Sequence, residues 1–251
     1  MASESYFTTR RTVRQYSSRE ISDDELSEMI EAASHAPTTG NMQLYSVIVT
    51  RSDEGKKALA PAHFNQPCLA GANVVLTFCA DFNRFVKWCE ASNADPGYNN
   101  FQSFVSAMLD TVIVAQQFCT IAEMRGFGCC YLGTTTWNAP KIAEALALPE
   151  LVVPVITVTL GYPEGETQVS DRLPVEAIMH TERYKEYDAE AIHAFYTYKE
   201  ALDENRRFVE DNGKQTLAQV FTDVRYPREA NEHFSAVFLE FLAAQGYMSR
   251  S

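Results

Sequence analysis

The run 73–80 is apolar almost throughout, which a strand tolerates only when both of its faces are covered. It therefore belongs at the centre of a sheet, with the rest of the chain supplying a layer on either side. Residues 152–160 read as another main strand, entered after Pro149 and ended by Gly161-Tyr162-Pro163. Residues 46–50 are rich in β-branched types and 128–133 read as a short strand. Residues 101–125 predict a long, largely buried helix that Gly126 can terminate. Its Asp110, Gln116 and Gln117 argue against a membrane span, and the runs 72–80 and 151–160 are too short for one. A second helix over 22–35 starts from a capping box, Ser22 with Glu25, and a hydrophobic staple, Ile21 on Leu26. Further helices are expected at 56–60, from Asn138 to Leu148, at 188–211 and at 229–245. The last carries an apolar stripe, Phe234, Val237, Phe238, Phe241 and Leu242, that core packing or a subunit contact must bury. Residues 82–100 are expected as an irregular excursion, a lid or a pocket wall. Its Phe82, Phe85, Trp88 and Tyr98 either roof a site or pack as ordinary aromatics.

The chain has a formal net charge of -12, which disfavours nucleic acid as a partner. Against that background Arg10-Arg11-Thr12-Val13-Arg14 stands out. Guanidinium forks suit phosphate, and three so close can surround one dianion. A solvated basic tail is the alternative, but the well-specified helix that follows at Ser22 places the arginines on ordered structure. The opening Met-Ala-Ser-Glu-Ser-Tyr has no leader-like character, so a cytoplasmic protein is expected. Its six cysteines, without a CxxC pair, fit buried reduced thiols. Cys129 and Cys130, adjacent in an extended segment, point to opposite faces.

GxSxG, P-loop and HExxH motifs are absent, and the five histidines (35, 63, 180, 193, 233) lack metal-ligand spacing. Gly126-Phe127-Gly128-Cys129-Cys130-Tyr131 nearly imitates a dinucleotide fingerprint. It lacks the third glycine and runs helix-then-strand, the reverse of that motif. The chemistry is therefore expected of a cofactor.

The ordered set of Arg10 to Arg14, Ala36-Pro37-Thr38-Thr39-Gly40-Asn41-Met42-Gln43, Gln66, and Phe78 to Arg84 carries a resemblance. Gly128 to Gly133, Ala145 to Pro149, Leu160 to Pro163 and Arg172-Leu173-Pro174 complete it. In order and spacing the chain resembles the FMN-dependent nitroreductase family, in its branch of oxygen-insensitive NADPH nitroreductases and NADPH-flavin oxidoreductases, from about residue 7 onward.

The resemblance implies an α+β fold: a central, mostly antiparallel sheet flanked by helices, in an intertwined homodimer with FMN at the subunit interface. Residues 1–184 would form the FMN-binding core and 185–251 a C-terminal helical extension serving the dimer and the NADPH site, with the 234–242 stripe suited to the dimer embrace. Arg10, Arg11 and Arg172 would clamp the FMN phosphate, with Thr12 beside them and Arg14 reaching the ribityl chain or pyrimidine edge. Thr38, Thr39 and Asn41 would bond the flavin from their loop, Gln66 would touch the ring edge or flank the substrate space, and the backbone of Tyr131, Leu132 and Gly133 would lie near N5. Lys199, Arg206 and Arg207 are candidates for NADPH, with NADH the other possible donor. No catalytic side chain and no metal are expected. Hydride would pass by a ping-pong cycle to nitroaromatics, quinones or free flavin, with no membrane or nucleic-acid partner. Two positions depart from the branch: Ser170 stands where a lysine is common, and Thr134 where a second glycine commonly follows the Tyr-x-Gly turn. A flavin-binding sensor or storage protein and a member with specialised reductive chemistry remain open alternatives.

Overall fold

The computed structural model describes residues 4–248. Residues 1–3, the start of the segment read above for a leader, and 249–251 lie outside the described residues. Two compact units are present, Met1–Gln168 with Phe234–Ser251, and Val169–His233. Tyr184, where the sequence changes character, lies inside the second.

In the first unit, strands β1 (Tyr45–Thr50), β2 (Val74–Asp81), β3 (Gly128–Leu132) and β4 (Val152–Gly161) form a sheet in the order β1-β2-β4-β3. All of its pairings are antiparallel. β2 and β4 are buried along their whole length, as the apolar sequence of β2 requires. Pro154 sits in β4 where the ladder to β2 slips: Phe78 faces Ile156, but Cys79 faces Pro154, so Val155 is an extra residue. A bulge is where a strand accommodates a missing donor.

Helices α1 (Glu4–Thr9), α2 (Asp23–Ser34), α3 (Asp53–Leu59), α4 (Pro67–Gly71), α5 (Asn83–Ala91), α6 (Phe101–Met124) and α7 (Ala139–Ala145) surround this sheet. α2 and α6 cover one face, where Leu26, Met29, Phe104 and Phe118 meet Val74, Leu76, Phe78 and Ala80 of β2. The opposite face packs Val13, Leu59, Leu69 and Ile142 on Val75, Cys130 and Leu132. Each such aliphatic or aromatic side chain, fully buried, contributes on the order of 2 kcal/mol. α2 begins as its sequence dictates, with both halves of the Ser22–Glu25 capping box formed and Ile21 and Leu26 in one buried cluster.

Four expectations need correction. α1 was not anticipated. The 82–100 excursion is half helical, because the Asp81 carboxylate accepts the Arg84 amide (3.1 Å) and starts α5. Within it Phe82 is buried and stacks on Tyr98 at 4.8 Å, whereas Trp88 is 62% exposed. α6 is not largely buried: Leu109, Val112 and Ile113 are 51%, 42% and 40% exposed and form an outward apolar ridge. The C-terminal stripe buries in this chain's own core, so it is not free for an embrace. There Phe241 and Leu242 join the α2–α6 cluster, Phe238 meets Phe104 at 5.9 Å, and Phe234 stacks on Trp137 at 4.9 Å.

The second unit contains α8 (Ala189–Ala201), α9 (Asp203–Asp211) and α10 (Leu217–Val220), and the first residues of α11 (Arg228–Ala244). α10 opens with a second capping box, Thr216 with Gln219.

The segment carrying the arginines lies along β3, with the Val13 amide donating to the Cys129 carbonyl at 3.0 Å. A Cβ on Gly128 would stand 2.5 Å from Val13 Cβ. Gly128→Ala should therefore lower stability by about 2 kcal/mol through overpacking, and Val13→Ala in the same chain should recover part of that loss, as urea denaturation can measure.

Candidate functional site

Three segments hold the sequence-expected residues of the first unit, and each is fixed by groups remote in sequence. The loop after α2 packs left-handed backbone closely together: Gly40 (φ 55), Asn41 (φ 57) and Gln43 (φ 54). Glycine and asparagine accept that geometry readily, glutamine does not. What holds it is Asp110, a buried carboxylate on α6. It accepts the Thr39 amide at 2.8 Å, the Thr39 hydroxyl at 2.9 Å and the Leu44 amide at 3.2 Å. Arg84 adds hydrogen bonds to the carbonyls of Gln43 and Tyr45. Thr39 therefore has its hydroxyl proton committed to Asp110. Thr38 Oγ1 is buried without a hydrogen-bond partner, and Asn41 is exposed, its side-chain oxygen accepting from Gln43 at 3.3 Å.

Along the arginine segment the side chains diverge. Arg10 forms a two-pronged pair with Glu123 of α6, at 3.1 Å from Nε and 2.6 Å from NH2. Tyr6 donates to the same carboxylate at 2.5 Å. Glu123 is nearly buried (9% exposed), and its hydrogen bonds raise the Arg10 pKa above its ordinary value. Burial first, and then Glu123, raise that of Tyr6. Thr12 is half-buried, while Arg11 and Arg14 are exposed. Arg14 lies against the Cys68–Cys130 thiol pair, in which each sulfur hydrogen-bonds the other. Proton donation from Cys130, then the Arg14 charge, lowers the Cys68 thiol, and Cys130 is raised. The opposite-face expectation for the adjacent cysteines holds: Cys129 meets Cys119 of α6 instead. All six cysteines are free thiols.

Gln66 precedes α4, just after Phe64 (φ 52) and Asn65 (φ 54), a second pair of left-handed residues. Its amide nitrogen donates to Thr134 Oγ1 at 3.5 Å, and His63 Nδ1 lies 2.9 Å from the same oxygen. Gln66 is thereby brought to the turn carrying Tyr131 (58% exposed), Leu132 (buried) and Gly133 (exposed). The turn itself is tied down by Thr135, whose hydroxyl donates to the Leu132 carbonyl at 2.8 Å and accepts the Thr157 amide at 3.0 Å. His63 is wholly buried, and burial lowers its pKa to about 4.

In the second unit Arg172 is exposed, with NH1 donating to the carbonyls of Ser170 and Asp171. Lys199 pairs with Asp171 at 2.9 Å. Arg206 and Arg207 are exposed, and neither has an ion-pair partner among the described residues.

The first-unit residues thus fall into two groups: Arg14, Gln66 and Tyr131–Gly133 around β3 and α4, and Thr38, Thr39 and Asn41 in the loop held by α6. Among the described residues no hydrogen bond or ion pair joins them. Sequence reasoning missed Asp110, Glu123 and His63 as the groups that fix these segments. Their partners lie 66 to 113 residues away, and the one local hint was a carboxylate inside an otherwise apolar helix.

A family model described as the nitroreductase family matches residues 7–162. A solved structure from Bacteroides fragilis NCTC 9343 is 53% identical, with a TM-score of 0.96 over 98% of this chain and all of that one. The FMN reductase (NAD(P)H) of Bacillus subtilis (strain 168) is 30% identical over 236 residues, 88% of this chain and 91% of its own length. The oxygen-insensitive NADPH nitroreductase of Salmonella typhimurium (strain LT2) is 27% identical over 240 residues, 96% and 95% of the two chains.

Asp110→Asn keeps the shape but turns an N–H group toward at least one donor of the loop. It should cost about 2 kcal/mol, visible as a lowered denaturation midpoint. The folded chain keeps His63 neutral down to about pH 4, whereas an unfolded histidine takes its proton near 6.5. Between those values the unfolded state binds more protons, so stability should fall as pH drops, by about 3 kcal/mol over the window. Urea titrations at pH 7 and pH 4.5 should show that slope in the parent and its loss in His63→Asn.

Proposed function

The chain belongs to the nitroreductase family, and from that premise we propose that it is an FMN-dependent oxidoreductase. It would carry electrons from NADPH or NADH to small flat acceptors such as nitroaromatics, quinones or free flavin, and would work as a cytoplasmic homodimer. The observation that carries this is the convergence of Arg14, Gln66 and the Tyr131–Gly133 turn on one place, with Arg11 exposed nearby in sequence on a chain of net charge -12. The names of the relatives support the same activity, and free thiols throughout suit a reducing compartment.

The donor set fits FMN. Arg11 supplies an unneutralised guanidinium for the phosphate, with Arg172 as its candidate companion. Arg10, two of whose five N–H donors are spent on Glu123, keeps three for the same anion while anchoring the segment. Thr12 is the small residue between these cations. The buried Thr38 Oγ1 lacks a partner, which is what a residue that bonds a ligand should show in the free chain. FMN, when bound, supplies the hydride-accepting and hydride-donating chemistry. The protein's part is to position: Arg14 and Gln66 would face the pyrimidine edge, and the Tyr131, Leu132 and Gly133 backbone the N5 edge. The Thr38–Asn41 loop, immobilised by Asp110, would set the plane. No titrating side chain is required, in keeping with the neutral His63. Arg206 and Arg207 would meet the dinucleotide phosphates, a task for which Lys199 is less suited because Asp171 already neutralises it.

A second copy is part of the proposal because one chain leaves the two groups of residues unjoined. The outward ridge of Leu109, Val112 and Ile113 on α6 is the surface offered for it. Contiguous exposed apolar side chains of this kind favour association.

Purified protein should be yellow with FMN absorption, and anaerobic NADPH should discharge the colour within seconds. Arg11→Ala should weaken FMN binding about tenfold or more, the loss of one charge-assisted contact, with little change in melting temperature. A colourless protein that takes up no added FMN would overturn the assignment, and equal retention in Arg11→Ala would remove Arg11 from the phosphate site.

A further inference from the structure

Thr134 is the residue by which this chain departs from the Tyr-x-Gly-Gly pattern, and its hydroxyl is a junction. Oγ1 lies 2.9 Å from His63 Nδ1 and 3.5 Å from Gln66 Nε2. The direction of these bonds follows from counting protons. The Gln66 amide can only donate from nitrogen, so Oγ1 accepts there. The one hydroxyl proton then needs an acceptor, and His63 Nδ1 is the one in range. With Nδ1 accepting, the imidazole proton sits on Nε2, which is buried without a partner. The opposite tautomer leaves two groups unsatisfied, the Thr134 hydroxyl proton and the Nε2 lone pair. Leaving one group unpaired costs less than leaving two. His63 cannot be protonated in this arrangement, because a proton on Nδ1 would face the Thr134 hydroxyl proton. Thr77 and Thr157 are also buried with unpartnered hydroxyl oxygens, but they lie within the sheet strands and touch none of these segments.

We propose that Thr134 is a positioning residue that sets which end of the Gln66 carboxamide faces the ligand: nitrogen turned back to Oγ1, carbonyl oxygen turned outward. Gln66 then offers an acceptor, and the site favours a ligand edge bearing an N–H donor, the chemistry of a ring imide or a primary carboxamide. Neutral His63 holds the other side of the junction, and the left-handed Phe64 and Asn65 carry the chain from His63 to Gln66 so that both reach one hydroxyl. A glycine at 134 would leave the carboxamide free to turn either way. The ligand-facing part of this inference rests on the FMN assignment above; the bonding order at Thr134 does not.

The full-length chain, stripped of flavin and titrated with FMN, gives one readout. Thr134→Val should raise the FMN dissociation constant about fivefold, the loss of one hydrogen-bonded orientation, with its melting temperature unchanged. Thr134→Ser, which keeps the hydroxyl, should bind within about twofold of the parent on the same grounds. In a Gln66→Ala background Thr134→Val should change little further, because a positioning residue acts only through the group it positions. The second readout is the nitrogen chemical shifts of His63, expected to place its proton on Nε2 in the parent. Overturning outcomes are parent-like FMN binding by Thr134→Val, full additivity with Gln66→Ala, failure of Thr134→Ser to restore binding, or a His63 proton on Nδ1. If the parent binds no FMN, the function assignment fails by itself. The tautomer then still decides the junction, Nε2–H supporting it and Nδ1–H ending it.

Discussion

One carboxylate, Asp110, is the point on which the candidate site turns. Burying a carboxylate is costly unless its oxygens are hydrogen-bonded, and three donors from the loop after α2 meet that demand. The dependence runs both ways. The loop holds three left-handed residues close together, each of the non-glycine ones costing on the order of 1 kcal/mol, and such backbone persists only where its surroundings over-determine it. α6 crosses all four strands, so the sheet, the long helix and the loop form one connected unit.

The same economy governs the arginine segment. Arg10 serves as an anchor as much as a ligand group, since Glu123 and Tyr6 draw it onto α6 while Val13 bonds β3. That fixes the start of the segment and leaves Arg11 and Arg14 to project from a rigid stem. Preorganisation of this kind lowers the entropy lost when a ligand is gripped. A chain with an overall negative charge can hold a dianion because two cations are kept out of internal ion pairs, whereas Lys56, Arg51 and Arg125 are engaged in them.

What the sequence disclosed was whatever is written locally. The Ser22–Glu25 box, the apolar run of β2, the Gly126 stop after α6 and the opposed faces of Cys129 and Cys130 all depend on neighbours within a few residues, and all were legible. The order of motifs gave the family because spacing is preserved even where contacts are not visible. Long-range pairings were not legible. Nothing near Arg10 announces Glu123, and nothing near Thr39 announces Asp110. The half-exposed character of α6 escaped notice because Leu109, Val112 and Ile113 are as apolar as the buried residues beside them. α5 was hidden by the Pro96-Gly97 break that follows it, although Asp81 supplies its start. Thr134 was visible as an oddity, but its meaning needed His63, which had looked like an ordinary core histidine.

The extra residue at Val155 has a consequence for how this lineage can vary. Strand side chains alternate, so an uninterrupted β4 would send 153 and 156 to opposite sides. With the insertion, Val153, Val155, Ile156, Val158 and Leu160 all reach the cluster beneath α6. Removing one residue here would reverse the parity of the strand's second half, turning Thr157 and Thr159 toward the greasy side. Because β3 pairs with that half alone, its two thiols would lose their matched backing as well. Single-residue deletions around Pro154 should thus be purged far more strictly than substitutions at the same place.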